Sequence, residues 1–308
     1  MPALPWGDRW RPRVHGPLLQ RLAGPDATVI LTRPDQAPLL PCLQQHRRVY
    51  YVVDDYLRYR ATWIEWERAL VASADHVVAI SSALGQALME RFGIRSDRLT
   101  ISPNAVSAAD IPACCPTKPA ALPEGLDLPR PLAGVIGRIS SRIRLDWLID
   151  LVEQLPWLHW LFVGDVETEE LVPSDVPVLR RLRHHRRCTF VGRRSYEQLA
   201  GFAAALDVAV LPYSALSVNP LGSSMRFFLQ LPYGTPILAT PGCPQLEEFV
   251  PLVQLCPTCD SLAAALGALR ERNLDDGLRK ARWSAAHSHT WENRAEALIG
   301  LMDHPPKS

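Results

Sequence analysis

The sequence predicts an α/β protein of two Rossmann-like, parallel-sheet domains, and three features predict it. Short apolar runs closed by Pro, Gly or Asp alternate with stretches of helical periodicity from Thr28 onward, the pattern of βα units that feed a parallel sheet. Between Ser107 and Pro131 fall Pro112, Pro116, Pro119, Pro123, Pro129 and Pro131, the composition of a stiff, partly extended linker. Third, Leu206–Gly242 reads as strand, polar loop, helix and strand in succession. The domains expected are residues 1–107 and 131–290, with a linker at 108–130 and a terminal helix and tail at 291–308.

In the first domain Pro17–Leu22 reads as a helix, Thr28–Thr32 as a strand and Pro38–Gln45 as a short helix. Arg48–Val53 is a strand ending at Asp54 and Asp55. Tyr59–Ala74 is helical, with Trp63, Trp66 or Glu67, Leu70 and Val71 near the i, i+3, i+4 spacing of one buried stripe. His76–Ile80 is a strand, Ser81 and Ser82 cap a helix that Gly93 ends, and Leu99–Ser102 is a further strand.

The second domain opens at Leu132 with a strand that ends at Gly137, and Ser140 and Ser141 lead into the helix Ile143–Leu155. Trp157–Val163, Thr189–Gly192, Asp207–Leu211, Pro236–Thr240 and Leu252–Leu255 are strands. Tyr196–Leu206, Met225–Leu231, Ser261–Glu271, Asp276–His287 and Trp291–Met302 are helices. Asp207–Leu211 is apolar throughout and stopped by Pro212, as suits a strand covered on both faces. The basic run Arg180–Arg187 reads as a solvated helix face, with acidic lipid headgroups or RNA as alternatives.

Composition narrows the function. The 308 residues carry 33 Lys and Arg against 32 Asp and Glu, a net charge of +1. No global field exists to gather nucleic acid, and no nucleic-acid partner is expected. The N-terminus lacks the apolar core of a secretory signal and no apolar run reaches spanning length. A cytoplasmic protein is expected, with peripheral contact to the inner face of a membrane left open. Seven scattered cysteines do not make a disulfide framework, and Cys256 and Cys259 read as two reduced thiols in a loop. No metal or cofactor is expected.

The chemistry points to a phosphate. Gly137 permits close backbone approach, and Arg138, Arg142 and Arg144 follow it. Ser223 and Ser224 stand before Met225 and Arg226 as an N-cap stands before a helix, whose free N–H groups hold anions. Tyr213 and Asn219 lie on the loop between. The bland alternatives are a solvated basic turn at Arg138–Arg144 and an ordinary strand–helix–strand unit at Leu206–Gly242.

The segment Pro212-Tyr213, a variable loop, then Ser-Met-Arg-Phe-Phe-Leu-Gln-Leu-Pro-Tyr-Gly-Thr-Pro-Ile resembles the donor-nucleotide segment of group-one glycosyltransferases with the GT-B fold. The blocks Val52–Asp55, Ala74–Ser81 and Ile101–Asn104 are similar to the later part of the acceptor domain in that family, and Trp291–Arg294 to its terminal helix. The resemblance runs from about Val49 to the C-terminus, and the first domain reads as incomplete: the family's opening strand and acceptor-side glycine loop have no counterpart before Thr28.

The resemblance implies a hexosyltransferase. Its donor is a nucleotide sugar, uridine diphosphate first, and its acceptor is a lipid-linked or polysaccharide glycan. It implies donor contacts from Gly137, Arg138, Arg142, Arg144, Tyr213, Asn219, Ser223, Ser224, Met225 and Arg226. Where many relatives have a ribose-binding Glu this chain has Leu229, so Gln230 is the substitute. Asp54 or Asp55 is the candidate base, with an N-cap pair as the alternative reading. A non-catalytic nucleotide-binding remnant, or a partner subunit of a transferase, stands as the second function; an epimerase of the same fold is the third.

Overall fold

β-Branched and aromatic runs pair side by side here into two separate, wholly parallel sheets. The computed structural model describes residues 26–215 and 219–303, together with Gly16, Leu18, Arg21 and Gly24; Asn219 and Asp303 are described by backbone alone. The helix expected at Pro17–Leu22 lies largely outside these residues.

The first sheet orders its strands β1 (Thr28–Leu31), β2 (Arg47–Val52), β3 (His76–Ala79) and β4 (Leu99–Ile101) as β1-β2-β3-β4. Its registers, Val29 opposite Arg48 and Val52 opposite Ala79, bring β2 and β3 to the centre. There Val49, Tyr50, Val52, Val77 and Val78 are buried. Between β2 and β3 the helix expected at Tyr59–Ala74 begins only at Ile64: α1 (Tyr56–Tyr59) and a turn at Ala61–Trp63 come before α2 (Ile64–Ser73), with a break in the helical path. The break falls at Arg60, whose backbone leaves the helical region at φ −146° and ψ 86°. α3 (Ser82–Phe92) begins where the Ser81 hydroxyl accepts from Leu84 N and ends at Gly93, left-handed at φ 68°, both as the sequence predicts.

The second sheet runs β10-β9-β8-β5-β6-β7, from β5 (Leu132–Ile136), β6 (His159–Val163), β7 (Cys188–Gly192), β8 (Val208–Leu211), β9 (Ile237–Ala239) and β10 (Gln254–Leu255). Successive residues serve opposite faces. Ala133, Val135, Trp160, Phe162, Val208 and Val210 pack with α4 (Leu145–Gln154), α5 (Asp175–His184) and α8 (Cys259–Glu271). Leu132, Ile136, Leu161, Val163, Ala209 and Leu211 pack against α6 (Tyr196–Ala204), α7 (Met225–Phe228) and α9 (Arg279–Ser288). Both faces are covered, which is why these strands read as unbroken apolar runs.

α7 is shorter than the helix predicted for Met225–Leu231. After Phe228 the chain passes to a tighter turn at Leu231–Tyr233 and stops at left-handed Gly234. Pro232 is the reason, since it lacks an N–H to return to the Phe228 carbonyl and its ring crowds that carbonyl. α10 (Trp291–Asp303) closes the chain.

Two units emerge, one ending at Pro103 and including the chain from Ala297 on, the other Asn104–Glu296. In the first, Arg47 donates to the Leu301 carbonyl at 2.7 Å and to that of Met302. The Pro-rich segment belongs to the second. Ile111, Leu122, Leu126 and Leu128 pack on its core, Ala120 N donates to Ala204 O at 2.8 Å, and Arg130 binds Asp207 at 2.8 Å. Prolines stiffen the segment while its leucines hold it against the sheet. Among the described residues no helix is long and apolar enough to cross a membrane.

β5 occupies the middle of the second sheet. The chain leaves it on one side for β6 and β7 and returns on the other for β8. The loops after β5 and β8 therefore part at a topological switch point, where open α/β sheets bind their ligands. The β5 and β6 loops approach so closely there that a Cβ added at Gly164, φ 147°, would lie 2.2 Å from the Gly137 carbonyl oxygen. Gly164→Ala should therefore cost at least about 2 kcal/mol from strain and overlap together; an unchanged urea midpoint would contradict this packing.

Candidate functional site

The loop after β5 and the segment after β8 are tied to each other by backbone. Arg144 N donates to Pro212 O at 2.7 Å and Ser214 N to Arg142 O at 2.9 Å, with Ile143 and Tyr213 bridged between them. Ser141 fixes the loop from beneath: its hydroxyl donates to Asp175 at 2.5 Å and accepts from Val172 N at 2.8 Å. Its carbonyl accepts from the Ser214 hydroxyl at 2.7 Å.

Arg226 closes this arrangement. The first turn of α7 aims its guanidinium at Gly137, whose φ is 113° and whose added Cβ would stand 2.9 Å from Arg226 Nε. Nη2 donates to the Arg138 carbonyl, and the guanidinium lies 5.6 Å from the centroid of the Tyr213 ring. Nη1 is buried and without a hydrogen-bond partner, and no carboxylate pairs with Arg226 among the described residues. Burial, with repulsion from Arg142 added, lowers its pKa from the ordinary guanidinium value while Tyr213 opposes the shift. An Arg side chain stays protonated in proteins. A cation with a buried, unpaired N–H is costly, and an arriving anion offsets that cost.

The other basic residues are differently placed. Arg138 pairs with Glu170 at 3.0 Å and Glu167 at 3.4 Å, Arg142 with Glu170 at 3.2 Å, and Arg144 with Asp146 at 2.6 Å. Arg144 also lies 4.0 Å over Trp147. Sequence reading singled out these arginines without their counter-ions. The run Glu167-Thr168-Glu169-Glu170, directly beyond the end of β6, was the signal available.

The α7 N-terminus differs from expectation too. Ser224 is the N-cap, accepting from Phe227 N at 3.2 Å, but its own N–H donates to Gln245 Oε1 at 2.8 Å and Met225 N returns to Ser223 O. Ser223 Oγ accepts from Asn104 N, and Ser223 O from Asn104 Nδ2, both at 2.9 Å. The Ser224 and Met225 N–H groups, expected to greet an anion, are thus engaged inside the protein. The Arg226 guanidinium keeps a buried N–H without a partner. Tyr213 is buried, shares a 2.7 Å hydrogen bond with the Ser224 hydroxyl, and is pushed up to about 12 by burial. Met225 is half-buried. Asn219 lies in the turn Asn219–Leu221. Leu229 is buried in the apolar core, and Gln230 is buried with Oε1 unpartnered.

Asp54 and Asp55 lie in the first unit, after β2. Asp54 accepts from Asp55 N at 2.9 Å and from the Tyr59 hydroxyl at 3.2 Å. Asp55 precedes α1 without a side-chain capping bond and pairs with Arg91 at 3.0 Å, which removes the N-cap reading for its carboxylate. Arg91 also lies 3.9 Å from Glu67, which is 1% exposed and accepts from the Tyr50 hydroxyl at 3.0 Å. Burial raises the Glu67 pKa; Tyr50 and Arg91 counter it in part. The sequence placed Glu67 on the buried stripe, but not the arginine of α3 that meets it. His76 shares a hydrogen bond with Thr100 at 2.8 Å, and His184 with the Arg180 carbonyl at 2.8 Å.

Residues 10–110 match the family model for Glycosyltransferase Family 4. No curated protein matches the sequence. Among solved structures the chain is similar to HepE of Anabaena in complex with UDP, with a TM-score of 0.75 at 15% identity over 94% of this chain and 81% of that one. It is similar to a glycosyltransferase from Rickettsia africae, with 0.71 at 12% identity over 98% and 82%. The lipopolysaccharide outer core galactosyltransferase WaaB gives 0.66 at 14% identity over 96% and 80%. Likeness at such identities carries the fold, two Rossmann-like domains of the GT-B kind. The family match and the fold agree with the resemblance to group-one glycosyltransferases.

A raised Glu67 pKa implies stability that is present below the unfolded carboxyl value and lost as pH rises through the folded one. Glu67→Gln keeps the acceptor for Tyr50 and removes that loss. The stability of Glu67→Gln relative to the parent should therefore rise between pH 5 and pH 8, approximate bounds set around the ordinary carboxylate range. A difference in urea midpoint that stays constant with pH would refute the assignment.

Proposed function

We propose that this chain, a relative of the group-one GT-B glycosyltransferases, transfers a hexosyl unit from a nucleoside diphosphate sugar to a lipid-linked or polysaccharide glycan. Uridine diphosphate is the donor nucleotide proposed first, because HepE in a related fold is bound to UDP. The observation that carries the reading is Arg226: a cation with a buried, unpaired Nη1, set against Gly137 at the switch point of the second sheet.

Glycosyl transfer breaks the bond between the sugar and its diphosphate, so negative charge grows on the leaving phosphate. A preorganised guanidinium in a site of low dielectric stabilises that charge. Arg226 contacts the phosphate, with the Gly137 turn giving the backbone room to approach. Arg138 and Arg142 exchange Glu167 and Glu170 for diphosphate oxygens, which carry denser charge. Tyr213 and Asn219 border the sugar and base, and Gln230 supplies the polar group that Leu229 does not. Asp55, oriented by Arg91, is the candidate base for the acceptor hydroxyl, with Asp54 beside it. The buried Leu229 favours the second reading, a nucleotide-binding chain without transfer.

Calorimetry with UDP tests donor binding. Arg226→Ala should weaken it by roughly 1.5–3 kcal/mol, the range for hydrogen bonds to a charged group; equal affinities remove Arg226 from the site. Transfer from labelled UDP-sugars to membrane lipid extract then separates the readings. The transferase reading predicts product that Asp55→Asn abolishes while UDP affinity is kept. Tight UDP binding without transfer from any donor supports the second reading.

A further inference from the structure

α5 carries a basic stretch that the donor site does not use. Its inner face, Leu179 and Leu182, is buried in the core of the second unit. Its outer face carries Val176, Arg180 and Arg183 at i, i+4 and i+7, one stripe on a helix. Val176 is 43% exposed and Val172, just before the helix, 38% exposed. Arg186, in the turn that follows, is exposed as well.

The charges of this surface divide in two. Arg181 pairs with Glu153 at 2.5 Å, and Arg187 donates to the Val152 carbonyl, so both are structural. Arg180, Arg183 and Arg186 have no ion-pair partner among the described residues. The acid in the same helix, Asp175, is turned inward to Ser141. A helix C-terminus favours a cation or two in its last turn, which accounts for Arg183 and His184 but not for Arg180 or the exposed valines. The chain as a whole is nearly neutral, at +1, so this is local concentration of charge rather than the character of the protein.

We infer that the outer face of α5, Val172, Val176, Arg180, Arg183 and Arg186, docks on an anionic lipid surface. Arginines whose charge is uncompensated attract anionic headgroups, and the apolar side chains beside them enter the boundary between headgroups and acyl chains. That second component argues for lipid over RNA, whose backbone offers valine nothing. His185 supports the picture: burial, and after it the neighbouring Arg187 and Arg186, lower its pKa. It is therefore neutral at pH 7, leaving the attraction to the arginines. The surface stands whether or not the chain transfers sugar. It also lies on the helix that Ser141 ties to the loop after β5.

Co-sedimentation with phosphatidylcholine vesicles, with and without phosphatidylglycerol, tests the proposal. Binding is expected only with phosphatidylglycerol and should fall as salt is raised. Each of Arg180→Ala, Arg183→Ala and Arg186→Ala should weaken it about fivefold, and Val176→Ser should weaken it with the salt dependence kept. Circular dichroism of each variant, matched to the parent, shows the fold intact. Absence of vesicle binding by the parent at low salt overturns the proposal. So does binding that the three arginine variants leave unchanged. Binding to an oligouridylate that exceeds vesicle binding, and that Val176→Ser leaves untouched, assigns the face to RNA and overturns it as well.

Discussion

The close approach of three backbone and side-chain groups, Gly137, Gly164 and Arg226, is the constraint on which the second unit's candidate site rests. Any side chain at Gly164 would overlap the Gly137 carbonyl, and any at Gly137 would strike Arg226. Two glycines at strand ends therefore let β5 and β6 finish in contact, and the space left over belongs to one guanidinium. Everything else around it is bracing. Ser141 holds the loop to α5, Ser224 caps α7 and is held by Gln245, and Tyr213 lies beneath the cation. Beyond α7, where the chain stops at Gly234, Arg282 of α9 is wholly buried, donates to the Leu252 and Gly234 carbonyls, and pairs with Asp276. A buried pair of this kind does not by itself add stability, but its hydrogen bonds fix where the turn ends.

Much of this was legible in the sequence, for physical reasons that differ by element. β5, β6 and β8 were plain because strands covered on both faces admit only apolar residues. The Ser81 cap and Gly93 stop of α3 were plain because each uses a residue type suited to its backbone geometry. α7 was overextended because helical periodicity continues to Leu231 while Pro232 acts one turn upstream of itself. α5 was seen only through its arginines, since the helix begins at Asp175 with Pro177 in its first turn. The Pro-rich segment read as a linker by composition, yet Leu122, Leu126 and Leu128 pack on the core; proline content reports stiffness, not detachment.

The site was legible in its cations and not in its anions. Arg138, Arg142, Arg144 and Arg226 stand out beside glycine and serine, but only three dimensions show that the first three face Glu167, Glu170 and Asp146 while Arg226 faces no carboxylate among the described residues. Ion pairs between loops leave no periodic trace. The same holds in the first unit, where Arg91 of α3 joins Asp55 to buried Glu67 of α2. The resemblance to group-one glycosyltransferases reached the fold, because order and spacing of blocks survive where identity to solved structures has fallen to 15%.

On the proposed function, a nucleoside diphosphate seats itself on the Gly137 turn and the first turn of α7. Amide hydrogen exchange with and without saturating UDP reads that directly, peptide by peptide. Slowed exchange is expected in the Gly137–Arg144 loop and at Ser224–Phe227, with no change along α8. Protection elsewhere in the chain while these two segments exchange at their free rates would contradict it.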